Sequence, residues 1–382
     1  MKKTISLIMS VVMALSILSA GVSANANAVY TYNDGDDFYK YEFINSSTVK
    51  IVDHTQHYSG ASVLYIPETI EGYTVTVIDK KAFQKNFSEI TEYVIPSTVT
   101  VIKEYAFYQG SSSNVTTLTI PSSVEEIEEG AFQTMKKLKT LNFSKGLKTI
   151  GAHAFAHCTA LTKVVFPSTL TDIEAEAFSG CTSLSTITLN NNLKYIYNDA
   201  FLSHAAKSIT IPKSVASIGA SAFSSHSIQK ATILSKNVNI QAYSSFYNGS
   251  FYDKGKKVKL YGFNGSTTQN YVNNGYNSYY YTFVSITHPT KTKITKLTAK
   301  KKAFYVKWSK STNCDGYQIQ YSLKKSMNSA KKKTVKGASS TSKTIKSLKK
   351  KKTYYVRVRA YHKYSGKTYY SSWSAKKKVK TK

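Results

Sequence analysis

Hydrophobic residues recur through the middle of the chain at a spacing of 22 to 25 residues. Each copy contains a short alternating run, a proline or small polar residue, two more apolar positions and an Ala-Phe pair. In one copy these positions are Val164, Phe166, Leu170, Ile173 and Ala177-Phe178. Alternation with period two predicts a short strand, which proline ends because it has no N–H to donate. The phenylalanines of successive copies are Phe83, Phe107, Phe132, Phe155, Phe178, Phe201, Phe223 and Phe246.

These copies predict a solenoid. A copy this short cannot bury a core alone, so neighbouring copies must stack and share one. We expect one parallel sheet along one face of the stack, with the two apolar positions after the proline returning the chain inward. The phenylalanine of each coil is predicted to fill the shared core. The predicted fold class is therefore mainly β.

A family resemblance is carried by residues 177–184, AFSGCTSL, which are similar to the signature of BspA-like leucine-rich repeats of bacterial surface proteins. The resemblance covers roughly Ile66 to Phe246, and copies with Ser144 or Asn190 in place of proline depart from it. It implies a leucine-rich-repeat solenoid with a parallel sheet. It also implies adhesion, for example to host matrix proteins or to neighbouring bacteria.

Segments on both sides of the repeats are predicted to cap the solenoid, because an open end would expose apolar core and a sheet edge. Ser266 is the predicted N-cap of a short helix that reaches Asn274. Strands are expected at Phe38–Phe43, Val49–Val52, Val258–Phe263 and Tyr279–Ile286. The predicted division is an N-terminal cap at 29–65, repeats at 66–250 and a C-terminal cap at 251–287.

The last part of the chain, residues 288–382, begins within a short linker at Thr287–Thr292. Period-two alternation predicts strands at Phe304–Trp308, Tyr317–Tyr321, Tyr354–Tyr361 and Tyr369–Trp373. So many short strands in so short a segment predict a β-sandwich.

This segment resembles a fibronectin type III domain. Trp308 followed by residues 315–321, DGYQIQY, is similar to strands B and C of that domain, and Leu348 with residues 354–360, YYVRVRA, to its E–F corner and strand F. The resemblance implies that Tyr354 is the tyrosine-corner residue. Alternation then places Tyr354, Val356, Val358 and Ala360 inward, and Tyr355, Arg357, Arg359 and Tyr361 outward.

The net charge of +31 is concentrated in this basic domain. Residues 289–382 contain 29 Lys and Arg against one acid, whereas residues 27–288 contain 21 Lys against 20 acids. This asymmetry predicts an anionic polymer as partner, such as teichoic acid or an acidic glycan. Lysine clusters at 300–302, 331–333 and 349–352 are expected in turns. The candidate binding residues are Lys349, Lys350, Lys351, Lys352, Arg357 and Arg359.

The first 28 residues predict a secretory signal peptide. Lys2 and Lys3 precede an apolar run at Ile5–Leu18, and small-x-small motifs end at Ala26 and Ala28. The run is short for a membrane span. No lipidation or sorting signal is seen, so we expect a secreted chain without a covalent anchor, retained at the cell surface by non-covalent contacts. Nucleic acid is disfavoured as a partner because the chain is expected to be exported.

Motifs for catalysis are not found: there is no G-x-S-x-G, no phosphate-binding glycine loop and no H-E-x-x-H. We therefore expect neither an enzyme nor a cofactor. His153, His157 and Cys158 suggest a metal site, but zinc needs three or four converging ligands, and a structural role is favoured. Cys158 and Cys181 are one repeat apart and are expected to stack as buried thiols. A disulfide is the alternative, disfavoured because stacked coils point side chains in parallel.

Two acidic clusters are interpreted as solvated. Asp34, Asp36 and Asp37 lack the further ligands of a calcium loop and predict a solvated turn. The glutamates within 125–129 are expected to face the lysines within 136–139, one coil away, in weak surface pairs.

The exposed positions of the strands are rich in threonine. Threonine suits an exposed strand, which explains most of this pattern without a function. The functional interpretation is a flat platform for a host or bacterial surface protein or glycan. The candidate residues are Thr117, Thr119, Thr140, Asn142, Lys163, Thr186, Thr188 and Thr210. The predicted function is a non-catalytic binding protein, and the alternative is an accessory module that positions extracellular glycan-degrading enzymes.

Overall fold

The computed structural model describes residues 28–35, 37–57, 60–85, 89–241, 245–246, 257–274, 277–286, 288–312, 314–364 and 367–382. The predicted signal peptide lies outside these residues except for Ala28, and so does Asp36. The chain divides into two compact units, Met1–Ser285 and Ile286–Lys382.

The regular secondary structure of the first unit is mainly short strands. In chain order they are β1 Tyr30–Asn33, β2 Asp37–Phe43, β3 Thr48–His57, β4 Val63–Tyr65, β5 Thr69–Ile70, β6 Tyr73–Ile78, β7 Glu92–Val94, β8 Val101–Ile102, β9 Thr117–Ile120, β10 Glu126–Ile127, β11 Thr140–Phe143, β12 Thr149–Ile150, β13 Lys163–Val165, β14 Asp172–Ile173, β15 Thr186–Thr188, β16 Tyr195–Ile196, β17 Ser208–Ile211, β18 Ser217–Ile218, β19 Lys230–Ile233, β20 Asn239–Ile240, β21 Val258–Gly262 and β22 Tyr281–Ser285. A 3-10 turn spans Gly110–Ser112.

Each coil contributes two strands, so the solenoid has two lines of parallel strands. The predicted line forms three sheet segments, β4-β7-β9-β11, β13-β15 and β17-β19-β21-β22. The second line runs β6-β8-β10-β12-β14-β16-β18-β20 and pairs, for example, Ile127 with Ile150 and Ile150 with Ile173. The second apolar position after the proline, such as Ile173 in β14, therefore lies in a second parallel sheet. The alternation pattern does not predict this sheet.

The phenylalanines predicted to fill the core form one continuous stack. Neighbouring rings from Phe83 to Phe246 have centroids 4.8 to 5.5 Å apart and planes within 5° to 12° of parallel. Each of these rings is at most 1% exposed. The prediction of a shared core is confirmed, and it includes the degenerate copy that ends at Phe246.

The Ala-Phe segment begins with a left-handed residue. The residues before alanine have φ between 52° and 60°, although only one is glycine: Lys81, Tyr105, Gly130, His153, Glu176, Asp199 and Ser221. Such a φ disfavours most side chains. Hydrogen bonds to the next coil hold it, as when the His153 N–H donates to Ala175 O at 2.9 Å. The turn thus adds a third line of hydrogen bonds between coils.

Proline closes the first strand through a tight turn. The Val124 N–H donates to Pro121 O at 3.3 Å. Where Asn190 replaces proline, its Oδ1 accepts from the N–H groups of Asn192 and Leu193 at 2.7 and 3.0 Å. The side chain supplies the turn that proline would favour.

The segments predicted to cap the solenoid contain strands and two short helices in the described residues. Strands β1, β2 and β3 form an antiparallel cap that continues into β6. Helix α1, Thr267–Asn273, is capped by Ser266, whose Oγ accepts from the Gln269 N–H, as predicted. Helix α2, Asn277–Tyr280, takes the place of the expected start of the last strand, which begins at Tyr281 and not at Tyr279.

The second unit is a sandwich of two sheets. Its strands are β23 Ile294–Lys300, β24 Ala303–Trp308, β25 Gly316–Ser322, β26 Lys331–Lys336, β27 Ser342–Ile345, β28 Thr353–Tyr364, β29 Lys367–Tyr370 and β30 Lys377–Lys380. One sheet is β23-β24-β27, and in the other β28 pairs with β25, β29 and β30 while β26 forms an edge beside β25. The Lys349 N–H donates to the Tyr354 hydroxyl at 3.0 Å, which confirms the tyrosine corner.

Inward and outward positions on β28 are as predicted except at Tyr361. Tyr354, Val356, Val358 and Ala360 are buried. Tyr361 is only 5% exposed because it pairs with Gly316, which has no side chain, so the ring lies over the glycine backbone. The strand predicted at Tyr369–Trp373 is shifted, because β29 spans Lys367–Tyr370.

Three charge predictions are wrong. Lys331–Lys333 belong to the edge strand β26 and not to a turn, a place where lysine prevents pairing with another chain. Asp37 is 8% exposed, and its Oδ1 lies 2.8 Å from His54 Nε2, so it is not solvated.

The glutamates at 125–129 do not pair with Lys136–Lys139. Glu128 pairs with Lys103 at 2.6 Å and Glu125 with Lys148 at 2.7 Å. The reason is register, because side chains meet across coils only about one repeat apart.

We predict that Phe155→Ala lowers the free energy of unfolding by about 3–5 kcal/mol, since it empties a site between two stacked rings. Denaturant unfolding of the exported chain measures this. The control is Tyr195→Ala, because Tyr195 is 44% exposed and its loss should stay within about 0.5 kcal/mol. Equal effects would contradict the central role of the stack.

We also predict a pH-dependent loss of stability at His204. The side chain is 3% exposed and burial lowers its pKa from 6.5 to about 4. The unfolded chain therefore binds a proton at His204 below pH 6.5, whereas the folded chain binds it only below about pH 4. The free energy of unfolding thus falls by roughly 3 kcal/mol as the pH is lowered from 6.5 to 4. His204→Asn, which keeps an acceptor for the Ala206 N–H, should flatten the pH profile of unfolding between these values.

Candidate functional site

The first group of predicted binding residues lies on β9 and β11. Thr117 is in register with Thr140, and Thr119 with Asn142. Asn142 Nδ2 donates to Thr119 Oγ1 at 3.3 Å. Thr117 is half-buried, since Glu92 on β7 and Thr140 lie beside it in register. The other three are exposed and form one polar surface.

The second group lies on β13 and β15, where Lys163 is in register with Thr186 and Val165 with Thr188. All four are exposed. Thr210 on β17 belongs to the third sheet segment, in register with Thr232, and is half-buried. The predicted platform is thus divided into three parts.

A notch opens where the first two parts meet. Strands β11 and β13 belong to neighbouring coils but are not paired, although the second line of strands continues through the same coils. The gap is a cavity of about 490 Å³. Its lining residues are Lys139, Thr140, Leu141, Asn142, Phe143, Thr162, Lys163 and Val165.

Two phenylalanines pack beneath the notch. Phe143 and Phe166 occupy the strand-end position in successive coils, where Ile120 is found in the preceding coil. Their rings stack with centroids 5.9 Å apart. The other break in this line of strands, between β15 and β17, has Leu189 and Ile211 at the strand ends. Lys139 and Lys163 line the notch, and Val165 beside them is 47% exposed.

The predicted lysines of the basic domain lie in an exposed turn, residues 349–352. The backbone of this turn is fixed: besides the bond from Lys349 to Tyr354, the Lys352 N–H donates to Thr381 Oγ1 at 3.2 Å. The four ammonium groups extend into solvent. The backbone of the turn is therefore fixed by hydrogen bonds, while its charged groups are mobile on flexible side chains.

Arg357 and Arg359 form a more ordered arrangement on the outer side of β28. Both guanidinium groups lie over the Trp373 ring, with Cζ atoms 4.6 and 4.3 Å from its centroid. Arg359 also lies 3.6 Å from the Tyr370 centroid. We call these four residues the arginine row. Stacking of this kind suits the planar, weakly hydrated guanidinium.

Glutamines on β25 orient the arginine row. Arg357 Nε donates to Gln320 Oε1 at 2.7 Å, and Arg359 Nε and Nη2 donate to Gln318 Oε1 at 3.1 and 2.7 Å. Partial burial, with the neighbouring Arg357, holds the pKa of Arg359 below its usual value. The charge stays because guanidinium does not deprotonate in proteins.

The tryptophan is held by a segment that is not a strand. Between β29 and β30, Ser371 and Ser374 bond to β28 with both backbone and side chain. Their Oγ atoms each accept, at 3.0 Å, from the N–H groups of Ala360 and Val358. These bonds fix Trp373 over the arginines.

The structure does not bring the lysine turn and the arginine row together. Arg357 is five residue steps along the extended chain from Lys352, roughly 16 Å. The turn precedes β28, and the arginines lie in its middle. They are two separate candidate sites.

The histidines and cysteines of the repeats are structural. His157 lies against Gly180 of the next coil, where a Cβ atom would come within 2.3 Å of the ring, and His153 Nδ1 is 3.5 Å from Glu176. Cys181 Sγ donates to Phe155 O at 3.2 Å, and burial raises the pKa of Cys158. Both thiols are free and buried. Across the described residues, no three metal-ligating side chains converge.

The residues that contact Arg357 and Arg359 are not among the binding residues predicted from the sequence. They are Gln318, Gln320, Tyr370 and Trp373. Lys139 at the notch is also not among those predicted residues. One signal was available: the two arginines are two residues apart on one strand, so both lie on the same face.

Comparison with protein families gives two matches. A model of the BspA-type leucine-rich-repeat region, in six copies, matches residues 56–169 and 129–252. These ranges span residues 56–252, which is 197 of 382 residues. A fibronectin type III model matches residues 287–376. Comparison with curated proteins gives no match. In the described part of the chain, no helix has the length and apolar character that a membrane crossing requires.

Solved structures of bacterial proteins are similar to the chain. A leucine-rich cell surface protein from Faecalibacterium prausnitzii is 26% identical, with 58% of each chain covered and a TM-score of 0.46. A leucine-rich repeat protein from Bacteroides ovatus is 26% identical, with 61% of this chain and 71% of that chain covered and a TM-score of 0.41. The chain therefore spans less than two thirds of the length of the first of these proteins.

Proposed function

Because the chain belongs to the BspA-type leucine-rich-repeat family and ends in a fibronectin type III domain, we propose that it is a secreted, non-catalytic binding protein. Proteins of this family are typically found at the cell surface or outside the cell. The solenoid recognises a protein or glycan on a host or bacterial surface. The basic domain attaches the chain to an anionic polymer such as teichoic acid or an acidic glycan.

The notch between β11 and β13 carries the proposal for the solenoid. Threonine on an exposed strand needs no functional explanation, whereas the notch brings side chains of two coils together in one concave site. Lys139, Lys163 and Asn142 provide hydrogen-bond donors, and Val165 provides an apolar surface. A concave site of mixed polar and apolar character suits a sugar unit or a short polar side chain.

The charge of the basic domain carries the proposal for attachment. Its net charge of +28 (29 Lys and Arg minus one acid in residues 289–382) exceeds what solubility requires. Many mobile lysines attract a polyanion over a long range, and added salt screens that attraction.

We predict that Lys163→Glu with Asn142→Ala weakens solenoid binding at least tenfold. The change reverses one charge and removes one amide donor at the notch. Binding is measured on a glycan array and on plates coated with extracellular-matrix proteins. The matched control is Lys230→Glu with Asn239→Ala, which reverses one charge and removes one amide on exposed strand positions outside the notch. Equal losses, or none, would reject the notch as the site.

We also predict that the full chain leaves isolated cell walls in high salt. A chain ending at Ser285 should not be retained even at low salt, since the first unit is nearly neutral. Sedimentation with walls at rising ionic strength measures both. Retention of the shortened chain equal to that of the full chain would reject electrostatic attachment through the basic domain.

A further inference from the structure

The chain contains 52 Lys and Arg, of which only Arg357 and Arg359 are arginine. Both lie in the arginine row. A protein that uses lysine for every other cation therefore places arginine only where a planar, stackable, bidentate donor is required. The position of these two residues follows from geometry and not from the general basic character of the domain.

The two guanidinium groups of the arginine row are fixed positive charges without a carboxylate partner in the described residues. The one acidic side chain of residues 289–382 is Asp315, which accepts from the Lys363 N–H at 2.6 Å and lies 3.2 Å from His362. The hydrogen bonds of the two arginines go to glutamine oxygens. Most of their N–H donors are thus left for an external acceptor.

Further donors flank the row on the same sheet face. Lys332 on β26 is in register with Gln320, which is in register with Arg357. Lys378 on β30 is in register with Tyr355. A strip of cations and amides therefore crosses the strands, and it includes no acidic side chain.

We infer that this strip binds a carboxylated polysaccharide, in extension of the proposed function of the basic domain, on which the inference rests. Guanidinium groups stacked on rings present only their edges, and a planar carboxylate pairs with such an edge through two parallel hydrogen bonds. The glutamine amides contact the arginines, and Tyr355 is two residues from Arg357 on the same face of β28, so amide and hydroxyl groups are available to sugar hydroxyls. Both guanidinium groups already lie over the Trp373 ring, so the aromatic contact orients them before a ligand binds.

The wild-type chain offers a direct test, because two arginines give two Nε–H signals in a nitrogen-15 NMR spectrum. The probe is a short oligogalacturonate, added to the full exported chain. We expect both signals to shift with saturation. Arginine signals that stay unchanged while the oligomer binds would overturn the inference.

A charge-matched pair of variants separates the row from general attraction. Arg357→Gln with Arg359→Gln should weaken polygalacturonate binding at least tenfold, whereas Lys349→Gln with Lys350→Gln, which removes the same charge from the lysine turn, should weaken it less than threefold. Arg357→Lys with Arg359→Lys keeps the charge and should still lose at least fivefold. Near-ultraviolet circular dichroism checks that each domain is folded.

Each outcome bears on one claim. Equal losses of affinity in the arginine-to-glutamine and lysine-to-glutamine variants would overturn the arginine row as the site. Wild-type affinity in the arginine-to-lysine variant would do the same. Tighter binding of the wild type to dextran sulfate, polyphosphate or duplex DNA than to polygalacturonate would overturn the choice of carboxylate. If the wild type binds none of these polymers, the proposed attachment to polyanions itself fails.

Discussion

The stack of phenylalanine rings is the interaction on which the solenoid depends. Each ring from Phe107 to Phe223 is covered on both faces by the rings of the adjacent coils, so no coil has a complete core without its neighbours. The parallel strand pairs and the turn hydrogen bonds repeat once per coil, as the rings do. The two ends must be closed, and the antiparallel cap and α1 lie there.

This arrangement leaves the outer faces of the coils free of a structural task. Phe143 and Phe166 stack beneath the unpaired strands β11 and β13, while the phenylalanine stack keeps its spacing of 5.2 Å through the same coils. The notch is thus a feature of the surface strands and not of the shared core. Its lining comes from two coils, so no single repeat contains the site.

The basic domain handles positive charge in two ways. The lysine turn is tied down only through its backbone, and its ammonium groups are mobile, which suits long-range attraction. The arginine row is fixed by tryptophan, tyrosine and glutamine, which lowers the entropy lost when an oxyanion binds. A polymer can be attracted by the first and positioned by the second.

Local pattern determined much of this protein. The repeat spacing, the phenylalanine core, the N-cap at Ser266, the tyrosine corner and the charge asymmetry are all visible along the chain, because each depends on residues that are close in sequence or that recur at one interval. Tertiary structure alone decided the second line of strands, the left-handed turns held by the next coil, the notch, and the stacking of Arg357 and Arg359 on Trp373. Those features depend on which residues of different coils or strands come into register. That register is set by packing between segments far apart in the sequence and not by any local sequence preference.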